Sequence, residues 1–131
     1  MVLDSSAVVA ALANEPEAPA IRQAIIVAAA RLMSAVNVFE TRTVLHRRFA
    51  PGKLQEFELL LLQAPVLIHP FDTNQAVLAF AAYQRFGKGS GHKAQLNLGD
   101  CAAYALATSL DLPLLFKGDD FGRTDVRPAL P

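Results

Sequence analysis

Four short apolar runs recur along this chain, and every successive pair is separated by a stretch with helical character. The runs are Met1-Val2-Leu3, Arg31-Leu32-Met33-Ser34, Pro65 to Pro70 and Pro113-Leu114-Leu115-Phe116. Runs of this length bounded by turn residues read as strands buried on both faces. Each intervening stretch is far longer than a hairpin turn, so the strands must run parallel, joined by helical crossovers. The class is therefore α/β, a three-layer arrangement with a short parallel sheet of four to five strands flanked by helices.

The helical stretches carry their own boundary signals. Ser5 to Ala13 is expected to be a helix capped by Asp4 or Ser5, and Asn14-Glu15-Pro16 ends it. Glu17 to Ala30 reads as a second helix, Val36 to Phe49 as a third with Val38, Phe39, Val44 and Leu45 inward, and Lys53 to Gln63 as a fourth. Pro51-Gly52 is read as the stop between the third and fourth. Asp72-Thr73 opens a fifth helix running to about Phe86, and Leu98 to Leu110 is a sixth. Gly87-Lys88-Gly89-Ser90-Gly91 is a flexible loop, and the tail from Lys117 is irregular. No repeat or linker divides the 131 residues, which fit a single domain spanning 1–131.

In parallel sheets, sites lie beyond the carboxyl ends of the strands. The acids fall there. Asp4 directly follows the first strand, Glu40 lies early in the helix after the second, and Asp119 and Asp120 follow the fourth. Asp100 opens the sixth helix behind a glycine. Taken singly, Asp4 and Asp100 read as helix caps, Glu40 as a solvated helix glutamate and Asp119-Asp120 as a turn. Their joint placement goes further. Carboxylates gathered at one partly buried edge repel and raise each other's pKa unless a cation neutralises them. Lys117 alone is adjacent to one of these acids, so a hard divalent cation is the economical counter-charge. Magnesium favours carboxylate oxygen, keeps several waters, and stabilises charge on a phosphoryl oxygen.

Other features bound the partners. Twelve basic and twelve acidic residues give zero net charge, so contact with a polyanion must rest on local patches. Arg42, His46, Arg47 and Arg48 on the third helix, and Lys88, His92 and Lys93 around the glycine loop, are the basic groups available; a solvated helix face is the alternative reading. Hydrophobic residues at 53% and charged residues at 18% exclude disorder and leave apolar surface for a partner. The first two helices and the leucine-rich fourth are the candidate surfaces, although core packing accounts for most of those residues. One cysteine, Cys101, forms no internal disulfide, which points to a reducing cytoplasm. It reads as a small buried helix residue, because thiolate is too soft for magnesium. No signal peptide or membrane span is expected, since Asp4 interrupts the apolar start and Arg22, Gln23 and Arg31 interrupt Ala18 to Val38. The glycine loop lacks the lysine–serine pattern of a nucleotide-binding loop.

Two enzyme classes that also use an aspartate after the first strand do not fit. An aspartate-based phosphatase needs a second acid two residues on, where this chain has Ser6. A phospho-receiver needs an aspartate after a middle strand, and these strands end in Ser34 and His69.

Four blocks together resemble a PIN domain: Val2-Leu3-Asp4-Ser5-Ser6-Ala7, Ser34-Ala35-Val36-Asn37-Val38-Phe39-Glu40, Leu98-Gly99-Asp100-Cys101-Ala102-Ala103-Tyr104-Ala105-Leu106-Ala107, and Leu114-Leu115-Phe116-Lys117-Gly118-Asp119-Asp120-Phe121. Within that family the likeness is greatest to VapC-type toxins of bacterial toxin–antitoxin pairs, and it covers essentially the whole chain. The resemblance implies a magnesium- or manganese-dependent endoribonuclease that cuts tRNA, rRNA or mRNA. It also implies a homodimer silenced by a VapB-type antitoxin. Carried over by position, Asp4 and Asp100 are metal ligands and Glu40 orients ligands or water. Asp119 or Asp120 is the fourth acid, with a slight preference for Asp119 as the nearer to the strand end. Ser6 matches the small hydroxyl residue that supports the first aspartate. Arg42, Arg47, Lys88 and Lys93 are the candidate RNA contacts. The competing expectation is a degenerate PIN-like module that binds RNA or a partner without cutting; no acid of the set is missing.

Overall fold

The computed structural model describes residues 1–131. The elements run β1 (Val2–Leu3), α1 (Ser5–Leu12), α2 (Ala18–Val27), β2 (Arg31–Ser34), α3 (Ala35–Arg48), α4 (Pro51–Gln63), β3 (Val66–His69), α5 (Thr73–Phe86), α6 (Leu98–Ser109) and β4 (Leu114–Leu115), with a short 3-10 turn at Phe121–Arg123. All strand pairs are parallel, in the order β3-β2-β1-β4. The expected α/β class and crossover connections are present, with four strands.

Period-two alternation builds the two cores. Val2 and Leu114 pair across β1 and β4 and face one apolar layer with α5, α6 and the tail. Leu3 and Leu115, one residue on, pair in the same register and face the opposite layer, with α1 to α4. All four are fully buried. Each such burial is worth roughly 1.5–3 kcal/mol, so a one-residue slip of either strand would exchange the two faces at large cost.

Two boundaries and one burial differ from the sequence reading, each for a local reason. The second helix stops at Val27 rather than Ala30, because Arg31 turns back and donates to the carbonyls of Ile25 and Ile26, satisfying the last turn. Pro51 does not stop a helix but opens α4 at its first position, where a missing N–H costs nothing. Phe39 was expected inward and is 69% exposed; the stripe that α3 buries is Asn37, Val38, Thr41 and Leu45, and Phe39 lies off it. The tail is also less irregular than expected. Leu114 donates to the Arg127 carbonyl and accepts from Ala129, which covers the outer edge of β4. No helix is long and apolar enough to cross a membrane.

The topology positions the site. From β1 the chain crosses to β2 on one side and returns to β4 on the other, so the carboxyl end of β1 is the switch point of the sheet. Asp4 stands there.

Candidate acid-lined active site

Asp4 leaves β1 with extended backbone and caps α1, accepting from the Ser6 amide at 2.9 Å and the Ser6 hydroxyl at 2.5 Å. It is 1% exposed. The Ser6 oxygen also accepts from the Lys117 amide at 3.0 Å, so one hydroxyl ties the first aspartate to the chain leaving β4. Asp100 is the third residue of α6 and forms a reciprocal capping box with Asn97, with bonds of 2.9 and 2.8 Å. The cap roles read for both aspartates are thus real, and they aim the carboxylates rather than exclude a site.

Glu40 reaches the same place from α3. Its carboxylate lies against Gly99 so closely that a Cβ there would sit 2.0 Å from Oε2. A Cβ at residue 99 would push the Glu40 carboxylate aside, so glycine there lets Glu40 lie this close. Asp4, Glu40 and Asp100 all line one open cavity of about 520 Å³, together with Ser6, Asn97, Arg48 and Lys117.

Electrostatics mark the two aspartates. Burial pushes the Asp4 carboxyl up to about 7; the Ser6 bonds oppose the rise, and the charges of Asp100 and Glu40 add to it. Burial likewise pushes Asp100 up to about 6, opposed by the Asn97 amide, reinforced by Glu40 and Asp120, and relieved by Lys88. The last pair separates here. Asp120 acts on Asp100, whereas Asp119, the acid nearer the strand end, does not figure among the charges felt there. Both are exposed, and neither side chain caps the 3-10 turn that follows.

Asn37 is a site residue that the sequence reading quoted but gave no role. It is fully buried on α3. Its Nδ2 donates to the Gly99 carbonyl at 3.0 Å, to Ser5 Oγ at 3.3 Å and to Asp4 Oδ1 at 3.4 Å. One amide therefore joins the start of α1 to the start of α6, where the two aspartates sit. Its Oδ1 is buried with no partner in the protein. A polar residue directly ahead of the inward Val38 was the available signal.

The basic residues sort unevenly. Lys117 lines the cavity but is engaged by Glu15 and Glu17, not by the acids of the site. Arg42, expected at the rim, is held by Glu58 in a two-point pair at 2.7 and 3.1 Å and does not line the cavity. Arg47 is exposed and also outside it. Lys93 is exposed in the loop, its carbonyl taken by Arg123. Cys101 is buried within α6, as expected for a packing residue.

No three acidic, histidine or cysteine side chains converge tightly enough to cage an ion alone. The donor set nevertheless suits a hard cation that retains water. It offers carboxylate oxygens, a roomy polar cavity, a buried and a half-buried aspartate with no lysine or arginine paired to either, and an unpartnered amide oxygen beside them.

A PIN-domain family model matches residues 1–127. Ribonuclease VapC28 of Mycobacterium tuberculosis is 43% identical over 130 residues, covering 99% of this chain and 98% of that protein. Among solved structures, the Mycobacterium tuberculosis toxin VapC20, described as cleaving the sarcin-ricin loop, superposes with a TM-score of 0.74 at 16% identity, covering 97% of this chain and 98% of that one. A toxin–antitoxin complex from Klebsiella pneumoniae gives a TM-score of 0.67 at 17% identity, over 92% of this chain and 88% of that one.

Proposed function

The chain belongs to the PIN-domain family, and from that premise we propose that it is a magnesium- or manganese-dependent endoribonuclease, the toxin of a toxin–antitoxin pair. The observation that carries this reading is Asp4. A carboxylate that is fully enclosed, with two further acids acting on it and no cation bonded to it, is costly to keep for stability alone.

Asp4 and Asp100 would hold the ion, with Asp120, whose charge acts on Asp100, as a further acid. Bound there, a hard divalent cation supplies neutralising charge for the scissile phosphate and lowers the pKa of water. The residues do the positioning. Ser6 fixes the rotation of the Asp4 carboxylate, and Asn37 holds the starts of α1 and α6 at a constant separation. Glu40, packed on Gly99, orients the attacking water and takes its proton. In-line attack then leaves a 5′-phosphate and a 3′-hydroxyl.

The proposed partners are RNA, a second copy of the chain and a VapB-type antitoxin, in the cytoplasm. Ile26 and Val27 on α2 and Leu59 and Leu62 on α4 stay exposed, which suits an amphipathic antitoxin helix.

The test is cleavage of total and structured RNA by the purified protein, with and without a chelator. Cleavage that is abolished by chelator and restored by magnesium or manganese is expected. Cleavage that persists in chelator overturns the metal reading, and RNA binding without cleavage in any metal favours the degenerate module.

A further inference from the structure

Beside the acid-lined cavity lies a second one, of about 550 Å³, between α2, the end of β4 and the tail. Lys117 lines both. Its amide donates to Ser6 Oγ, the hydroxyl that holds Asp4, and its ammonium is engaged by Glu15 and Glu17. The two cavities therefore meet at one residue anchored beside Asp4. A polymer whose phosphate reaches the acids brings a neighbouring unit to the second cavity.

The lining there is of a different kind. Ile21, Leu114, Phe116, Pro128 and Leu130 make an apolar wall. Phe116 is half-buried and packs on Phe121, ring centroids 5.1 Å apart, while also lining the cavity. One carboxylate, Glu17, borders the same space. Its Oε2 stands 3.6 Å from the Lys117 ammonium, too far for a hydrogen bond, so it remains able to accept one. A flat ring with N–H donors on its edge suits both features, and that is the chemistry of an unstacked nucleobase. Two glycines complete the wall. Gly118 has φ +97° and serves the turn after Lys117. Gly122 has no positive φ, and a Cβ there would meet nothing within 4 Å. Neither its conformation nor packing within the chain demands glycine. Bare backbone at that wall lets a flat ligand lie close.

We propose that this cavity is a nucleobase pocket, taking a guanine next to the phosphate held at the acids. Guanine alone among the RNA bases presents two adjacent N–H donors on its pairing edge, and one carboxylate accepts both. Adenine and cytosine set a ring lone pair beside their single amino group, and uracil flanks its N–H with carbonyls, so each turns a lone pair toward Glu17. The guanine ring stacks on Phe116. The substrate class rests on the ribonuclease reading, but the base preference is measurable without cleavage.

The probe is a short labelled oligouridine carrying one guanosine, titrated with metal-free protein and read by fluorescence anisotropy. It should bind about tenfold tighter than plain oligouridine. The inosine version, which lacks the 2-amino donor, should fall between the two. Glu17→Gln should erase the preference by replacing one acceptor oxygen with a donor, and Gly122→Val should erase it by filling the cavity. Plain oligouridine should bind both variants as it binds the parent. Both residues are exposed, so both variants should melt close to the parent. A parent that binds the two oligonucleotides equally, or binds neither, overturns the pocket and leaves its apolar lining to a protein partner, even if RNA is cut. A guanosine preference that survives in Gly122→Val overturns it too. A preference lost in both variants, in a protein that cuts no RNA in any metal, upholds the pocket and overturns the nuclease reading.

Discussion

Asp4 and Asp125 make the same short bond and titrate in opposite directions. Each accepts from a hydroxyl at 2.5 Å, Asp4 from Ser6 and Asp125 from Tyr104. Asp125 is mostly exposed and also accepts from Arg85 at 3.1 Å, and its pKa lies below the ordinary range because the Tyr104 bond and the Arg85 charge favour the ion. Asp4 is enclosed at the switch point of the sheet with two other acids near it, and burial raises its pKa to about 7. A good hydrogen bond does not by itself set the direction of the shift; burial beside like charges does. Asp125 fastens the tail to α5 and α6, whereas Asp4 is enclosed beside two like charges.

The sharpest way to break this comparison is to neutralise both acids. Asp4→Asn should reduce RNA cleavage by at least about a thousandfold, while the metal-free protein melts at a higher temperature than the parent at pH 8. Asp125→Asn should leave cleavage intact. If Asp4→Asn melts lower than the parent at pH 8, the carboxylate is not the strained group described here.

A smaller effect is expected at Asn37. Asn37→Ser shortens the amide that spans the starts of α1 and α6, and should weaken manganese binding by roughly 10–100-fold. Calorimetric titration of manganese into the variant measures this without any turnover. Unchanged affinity would make Asn37 a packing residue only.

The two acids also predict opposite pH responses. Asp4 and Asp100, raised to about 7 and about 6, add stability that is fully present below the unfolded value near 3.8 and is lost as pH rises through 6 and 7. The metal-free protein should therefore lose melting temperature between pH 5 and about 8, and manganese should recover more of it at pH 8 than at pH 5. Asp125, lowered, works the other way: its contribution is present above about 4 and is lost on further acidification. Chelator-treated melts across this range, repeated on Asp4→Asn, should show a flatter decline in the variant.

The smallest effect is the tail fastening. Asp125→Asn loses the charge-assisted part of two bonds at a largely exposed site, worth about 1 kcal/mol, readable by urea denaturation.

Much of this fold is legible because its signals are local. The apolar runs ended in turn residues, Asp4 and Asp72 stood at cap positions, and β2 spans the residues read for it, Arg31–Ser34. Helix ends were less legible where a side chain from the next element finished the helix, as Arg31 does for α2. Phe39 was misread because α3 buries a narrow stripe containing two polar residues, Asn37 and Thr41, which a search for apolar spacing skips.

The sequence by itself determined the order of strands and helices, and with it the placement of Asp4 and Asp100 at the carboxyl end of a parallel sheet. Strand and helix periods fix which element a residue joins and which face it takes. What the tertiary structure decided was the company each charge keeps. Arg42 meets Glu58 from another helix, Lys117 meets Glu15 from across the chain, and Asp120 rather than Asp119 acts on Asp100. Arg48 reaches the cavity while Arg47 beside it does not, and Asn37 joins two helices that are distant in sequence. Coulomb energy and desolvation depend on spatial distance and burial, and neither is set until the layers have packed.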